Sequence, residues 1–486
     1  MVDGSWLMAE KGRGKVVPKG MGRMETQRSN VVLITTDHQR YDCVGANGNP
    51  WIHTPVLDRL AAEGVSLERC YVQNPLCMPS RASIWTGRYP QNHRVTDNGI
   101  ALRKQEITLA HAFQSAGYRT ANVGKLHFLP HYGRDHTRND EEYAGYGYDV
   151  SLLSDEPGCY PDAYIRWIER VAPDHLEAVR VPIPVPGAEN HRGHFEGWVF
   201  QAPEEYSHPA WIAHEVGKFL SEHDGSSPFF LSAGFYAPHP PLNPPQRFLD
   251  LYDPEALHLP RQHPADMEKS RLRHITPEQW REDKAFFYAM CSLVDCYVGR
   301  VIEALKAAGC YDETILVFTS DHGDALGDHG QINKGASNYE SIVRVPCLVR
   351  GPGLPAGRRV SGLVESVDLF PSLCEMTGIP IPAGVKGRST TPLLRGETEA
   401  GRDSVLIEFK NPRTGFSVKT LRTEEYKYFR YNDRREVLYD MREEDEEVFD
   451  RAGDPAYAGA LVHLRECLLS RLIEAEDDLP EKTHAY

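Results

Sequence analysis

The run Asn30-Val-Val-Leu-Ile-Thr-Thr-Asp37 constrains the fold more than any other stretch of the chain. Its apolar and β-branched residues follow one another without polar alternation. That pattern fits a strand covered on both faces, as in a parallel sheet wrapped by helices. The next segment, 54–64, carries Thr54 as N-cap, Pro55 at the first helical position and Gly64 as a stop, and predicts a helix. Further strands are expected at 65–72, 118–123, 228–235, 314–320 and 343–349, and helices at 80–86, 108–116, 208–223, 277–308 and 366–377. This alternation predicts an α/β fold, a mainly parallel sheet flanked by helices. Right-handed crossovers then bring the strand carboxyl ends to one edge, where such folds bind ligands. Residues 130–207 are rich in Gly, Pro, His and aromatics and read as an insertion of loops and short pieces. After about residue 400 come short strands at 404–409, 417–423 and 426–431, an acidic stretch at 440–450 and a helix at 455–475, a small α+β subdomain.

Charge and cysteine content narrow the function. The balance of 54 basic against 69 acidic residues gives −15, which argues against general nucleic-acid binding, because phosphate affinity comes from Lys and Arg. No apolar run approaches the roughly 18 residues of a membrane span. Residues 1–29 are basic without an apolar core and read as a disordered leader rather than a signal peptide. Ten scattered cysteines with no CxxC pair suggest reduced thiols and a cytoplasmic protein.

Polar residues gather just after strand ends. Asp37-His38 follows the first strand, Lys125 and His127 follow 118–123, His239 follows 228–235, and Asp321-His322-Gly323-Asp324 follows 314–320. Each has a plain alternative. Asp37, Asp324 and Asp328 suit turn caps, lone lysines are usually solvated, His239 can pack between prolines, and His38 suits a metal ligand, a neighbour of ligands or the surface. Together they suggest carboxylates sharing a divalent cation, with cationic groups around an anion. If Lys125 and His127 lie in an extended segment, they face the same side. Each cation about 4 Å from a substrate charge is worth roughly 4 kcal/mol before desolvation, at an effective dielectric near 20. Arg81, Lys125, His127, His239 and Lys334 would suit phosphoryl or sulfuryl transfer. Cys77 stands just ahead of Pro79 and the expected helix start, with Arg81 one turn on. A helix N-terminus lowers a thiol pKa, so the direct reading is a reactive thiolate over an anion site.

The segment Cys77-x-Pro79-Ser80-Arg81 with Thr86-Gly87 resembles the signature of the formylglycine-dependent sulfatases of the alkaline phosphatase superfamily. Gly117-Tyr118-Arg119-Thr120 running into Gly124-Lys125 resembles the second signature. Ser320-Asp-His-Gly-Asp-Ala-Leu-Gly-Asp-His-Gly330 with Lys334 resembles a third block, and the likeness spans about 30–450, including Leu438-Tyr439-Asp440. The resemblance implies an alkaline-phosphatase-like α/β fold and hydrolysis of a small sulfate monoester on one divalent cation (calcium or manganese, with magnesium the third candidate). Cys77 would be converted to Cα-formylglycine (3-oxoalanine) by a formylglycine-generating enzyme. The hydrate would attack sulfur and form a covalent sulfate hemiacetal. By position, the metal ligands would be Asp37, Asp321, His322 and residue 77. Arg81 and Lys125 would hold the hydrate, and Lys125, Lys334 and His239 would bind the sulfate. His239 or Lys334 would protonate the leaving oxygen, and His127 would take a proton from the second hydroxyl. The implied boundaries are a leader at 1–29, a catalytic domain at 30–400 with the 130–207 insertion shaping the pocket, and a C-terminal subdomain at 401–486.

His38 stands where many sulfatases have a second Asp, and His322 where many have Asn. Both resemble the branch of choline sulfatases and phosphonate monoester hydrolases, and Asn98 matches an active-site asparagine there. Phosphonate monoester hydrolases carry Tyr and Thr where this chain has Lys125 and His127, which favours sulfate chemistry. The imidazole at 322 weakens the case for calcium. The alternatives are a phosphonate monoester or phosphodiester hydrolase with the same nucleophile, and a silent binding protein on the same fold. Tyr160, Tyr164, Trp167, His194 and Trp198 are candidate pocket residues, although aromatics in such insertions more often pack into local core. A homo-oligomer is compatible with the sequence and not legible in it.

Overall fold

In the computed structural model, residues 28–181, 195, 197–443 and 447–477 are described; most of the expected leader, His194 and part of the acidic stretch lie outside them. The elements that position the site begin with β1 (Asn30–Asp37), α1 (Pro55–Glu63), β2 (Val65–Tyr71), α2 (Cys77–Thr86), α3 (Leu109–Ser115) and β3 (Arg119–Gly124). The insertion supplies β4 (Val150–Leu153) and α4 (Ala163–Val171). There follow α5 (His208–Glu222), β5 (Phe229–Pro238), α6 (Pro277–Ala307) and β6 (Thr314–Ser320). After these come β7 (Arg344–Val345), β8 (Cys347–Arg350), β9 (Arg358–Glu365) and α7 (Leu369–Thr377). The chain ends with β10 (Val405–Lys410), β11 (Ser417–Arg422), β12 (Tyr426–Tyr431), β13 (Glu436–Asp440) and α8 (Ala458–Glu474).

The large sheet has the order β4-β3-β5-β1-β6-β8-β2-β7, with β9 on β2. The first five strands in that order are mutually parallel. β1 lies inside this block and is covered on both faces. Val32 and Ile34 join a core cluster with α1, α5 and α6, and Val31 and Leu33 join a second cluster with α2, α3 and α7. Burying each such side chain stabilises the fold by about 1.5–3 kcal/mol. α6 starts at a capping box of Thr276 and Gln279 with Pro277 at its first turn. By length and composition it is apolar enough to cross a membrane. Its Leu293, Val294, Val298 and Val301 are nevertheless buried in the core, and it packs on α1, α5 and β5.

Some expectations change. The strand expected at 343–349 is two pieces broken at Pro346, and both run antiparallel to β2; proline removes a ladder donor. The insertion's short pieces, by contrast, are integrated into the fold: β4 extends the parallel sheet from β3, and α4 buries Tyr164 and Trp167 in the main core. The C-terminal strands, with β13 added, form an antiparallel sheet of four. Two glycines permit one close approach: a Cβ on Gly234 would lie 2.0 Å from the Lys125 carbonyl oxygen, and one on Gly124 2.1 Å from that of Gly234. β3 and β5 therefore close up just where Lys125 leaves the sheet.

Candidate active site

Four adjacent parallel strands, β3, β5, β1 and β6, end on one edge. They deliver Lys125, His239, Asp37 and the Asp321-His322 pair. Over that edge sits the first turn of α2. The helix begins at Cys77 rather than at residue 80, with Leu76 as N-cap, and all ten of its residues are buried. Its entry is fixed because Asn74 Oδ1 accepts from the Leu76 amide at 2.9 Å and Asn98 Oδ1 accepts from the Met78 amide at 3.1 Å.

Cys77 Sγ stands at the centre. Lys334 Nζ lies 2.6 Å from it, His322 Nε2 3.3 Å and Asp37 Oδ1 3.5 Å. Burial and the Asp37 carboxylate push the thiol pKa up to about 12, with Lys334 and Lys125 opposing. The shift runs opposite to the lowering that the reactive-thiolate reading needs, with burial as its largest cause.

Around the thiol the charges interlock. Lys125 Nζ pairs with Asp37 Oδ2 at 2.6 Å, both fully buried. Burial alone would raise the Asp37 pKa, but Lys125 and then Lys334 hold it well below the usual carboxylate range. Arg81 spends its guanidinium on the framework: Nε meets Asp321 Oδ2 at 2.6 Å, Nη1 the Lys125 carbonyl at 3.1 Å and Nη2 the Thr36 carbonyl at 3.3 Å. It braces the site more than it reaches for the hydrate the resemblance implied.

The imidazoles have assignable tautomers. His322 Nδ1 donates to the Gly323 carbonyl at 2.8 Å, which leaves the Nε2 lone pair facing Asp37 Oδ1 at 3.4 Å and Asp321 Oδ1 at 3.7 Å. His239 Nδ1 donates to the Pro240 carbonyl at 2.5 Å, and burial, then His38, keeps the ring neutral. His38 is 1% exposed, so the surface reading for it is excluded. His127 has a φ of 55°, so its segment turns rather than runs extended. Its ring is buried and neutral, Nδ1 has no partner, and it stacks on His131 at 4.0 Å.

The donor set fits a divalent cation. The side-chain donors of Asp37, His38, Cys77 and His322 lie within 4.8 Å of one another. That group contains His38 where the resemblance implies Asp321. Two observations favour Asp321: its Oδ1 is buried without a hydrogen-bond partner, and the His38 Nε2 lone pair already faces Lys334 Nζ at 2.7 Å. Two carboxylates and an imidazole suit a hard or borderline ion.

Within the insertion expected to shape the pocket, sequence reasoning did not single out His131, Asp155 or Glu156. Asp155 Oδ1 accepts from the Leu126 and His127 amides, both at 2.9 Å, and fixes the turn that carries His127. Glu156 lies 3.6 Å from His131, and burial pushes its pKa up to about 7 despite Lys125. Tyr236 lies under Lys125 Nζ at 4.7 Å. The spacing of His131 four residues after His127 was the only available signal. Of the pocket aromatics, Tyr160 approaches the site, 6.1 Å from His131, whereas Tyr164 and Trp167 are core. Asp324 Oδ1 caps its turn at the Leu326 amide, but Asp328 instead holds Arg40 and the Arg261 amide.

Residues 29–379 match the Sulfatase family model, and residues 327–474 match the model for the C-terminal region of N-sulphoglucosamine sulphohydrolase. An arylsulfatase of Clostridium perfringens is 30% identical over 93% of this chain and 95% of its own length. A multifunctional alkaline phosphatase superfamily protein, PehA of Trinickia caryophylli, is 29% identical over 93% of this chain and 97% of its own. The crystal structure of a phosphonate monoester hydrolase of Agrobacterium radiobacter superposes with a TM-score of 0.81 at 28% identity, covering 93% of this chain and 96% of that one.

Proposed function

The chain belongs to the sulfatase family, and we propose that it hydrolyses a small sulfate monoester with residue 77, converted from cysteine to Cα-formylglycine, as nucleophile. The observation that carries this reading is the setting of Cys77. A thiol pushed up to about 12 is a poor nucleophile as it stands, yet it occupies the focus of two lysines, two carboxylates and an imidazole. The aldehyde hydrate supplies one hydroxyl to attack sulfur and a second whose deprotonation releases sulfate by C–O cleavage. A divalent cation held by Asp37, Asp321, His322 and residue 77 would lower the hydroxyl pKa and offset developing negative charge.

The remaining roles follow from the protons each residue holds. Lys125 and Lys334 offer N–H groups to sulfate oxygens, and His239 borders the same space beside His38, ring to ring at 4.3 Å. His239 is held neutral with its proton on Nδ1, which leaves Nε2 as an acceptor, so of the two expected acids we assign Lys334 as donor to the leaving oxygen. His127, neutral and without a hydrogen-bond partner at Nδ1, takes the proton from the second hydroxyl.

A second reading, phosphonate monoester hydrolysis with the same nucleophile, is favoured by the likeness to the Agrobacterium radiobacter enzyme. The test is parallel kinetics on aryl sulfate and aryl phosphonate esters, with conversion of Cys77 verified by mass. The sulfate should give the larger kcat/KM. Cys77→Ala should lower it by on the order of 10³–10⁶-fold with an unchanged circular dichroism spectrum. A larger kcat/KM on the phosphonate favours the second reading, and near-normal turnover by Cys77→Ala removes residue 77 as nucleophile.

A further inference from the structure

We propose that Asp324 and His38 form a positioning pair that aims the Lys334 ammonium at residue 77, and that His38 is not a ligand of the cation. The proposal rests on the reading of Lys334 as the acid for the leaving group.

His38 leaves β1 with a φ of 70°, a left-handed conformation that a histidine adopts only when its surroundings hold it there. Its Nδ1 lies 2.6 Å from Asp324 Oδ2, and both side chains are buried. A carboxylate only accepts, so the proton sits on Nδ1 and the lone pair on Nε2. That lone pair faces Lys334 Nζ at 2.7 Å, and the same ammonium reaches Cys77 Sγ at 2.6 Å. The contacts therefore form one directed line, from carboxylate to imidazole to ammonium to residue 77.

The anchor of this line is rigid. Asp324 Oδ1 accepts from the Leu326 amide at 2.7 Å, and Arg40 Nη1 donates to the carbonyls of Asp324 and Ala325 at 3.1 and 3.0 Å. The rings of His239 and His322 pack edge-on against His38 at 4.3 and 4.7 Å. Lys334, by contrast, stands on a segment without helix or strand, and its four-carbon stem needs an external restraint. A neutral acceptor supplies direction and leaves the positive charge unquenched. Asp37 Oδ1, at 3.8 Å, is the competing attraction that would otherwise draw the ammonium off its aim.

The Nε2 lone pair cannot serve both the ammonium and an ion. The free Asp321 Oδ1 supplies the oxygen that a fourth ligand position needs.

The test compares His38→Ala and Asp324→Asn with the unaltered enzyme on two sulfate esters, one with a nitrophenolate leaving group and one with an alkoxide. Asparagine at 324 reverses the tautomer, because its amide donates to Nδ1. The kcat/KM for the alkyl ester should fall about 10²-fold relative to that for the nitrophenyl ester, within the range of general-acid contributions. The ratio between the two esters on one preparation cancels any inactive fraction. Metal per chain, measured by elemental analysis, should stay unchanged. In a Lys334→Ala background, His38→Ala should leave the ratio where it is. Loss of metal from His38→Ala makes the residue a ligand and overturns the proposal, and so does an equal loss on both esters. Should Cys77→Ala keep its activity, the reading of the reaction fails instead, which separates the two failures.

Discussion

The two oxygens of the Asp321 carboxylate have different surroundings. Oδ2 neutralises Arg81, which is completely buried, while Oδ1 has no partner. Removing the side chain confuses the two, because Asp321→Ala strands a buried guanidinium, a loss of about 3–5 kcal/mol. Asp321→Asn keeps an oxygen for Arg81 and replaces the anionic oxygen offered to the ion by an amide NH2, which does not ligate. After dialysis this variant should hold less than about a tenth of an equivalent of divalent metal, because ligand charge sets much of the affinity of such sites. Its turnover should fall by on the order of 10³-fold while its circular dichroism stays native. A full equivalent retained in elemental analysis would exclude Asp321 as a ligand. Legibility in the sequence followed the same logic. Asp37, Cys77, Lys125, Asp321 and His322 could be read because each sits just past a strand or at a helix start. The line from Asp324 through His38 to Lys334 could not, because its contacts join residues 286 and 296 positions apart.

α1 shows how an element can take its cap from far away. Thr54 was expected to cap it, yet Thr54 Oγ1 accepts from the Gly45 amide, and the first-turn α1 amides of Val56 and Leu57 go to Asp295 at 3.1 and 2.8 Å. Asp295 lies within α6, and burial pushes its pKa from 3.8 up to about 7. A folded value above the unfolded one means that the folded chain keeps the proton longer. The stabilising contribution is therefore complete below about pH 4 and is lost as pH rises through about 7. The loss is on the order of 2–4 kcal/mol. Asp295→Asn cannot ionise. Its stability relative to the parent should accordingly rise by that amount between pH 4 and pH 7, in denaturant titrations across pH. Parallel pH curves for the two proteins would show that the Asp295 proton does not report on folding. The strands divide the same way. β1 and β6 announce themselves by unbroken apolar runs. β9 begins Arg-Arg-Val-Ser-Gly and shows no strand's pattern until β2 is in place beside it, whereas β7 and β8 read as one strand whose break at Pro346 shows only in the pairing.

At the scale of the molecule, the C-terminal sheet and α8 are built into the catalytic edge. Glu365, at the end of β9, accepts from Arg471 of α8 at 2.7 Å and from the Leu406 amide of β10 at 2.7 Å, and Tyr89, just after α2, also donates to it. Burial would raise the Glu365 pKa, but Arg402 and then Arg471 hold it down. Tyr89 and Val367 join Leu406, Leu421, Leu461 and Leu464 in one core cluster. β10 also touches the entry to α2, because Asn74 Nδ2 donates to the Glu408 carbonyl at 2.6 Å. A change of topology near residue 400 is thus not a break in packing. Arg471→Ala leaves Glu365 buried with one cation fewer and should cost about 3–5 kcal/mol. Because the core is shared, the loss should appear as a single earlier transition, in which sulfatase activity and the circular dichroism of the whole chain disappear at the same denaturant concentration. Two separated transitions, with activity surviving the first, would mean that the C-terminal sheet folds on its own and that the buried Glu365 network does not couple it to residue 77.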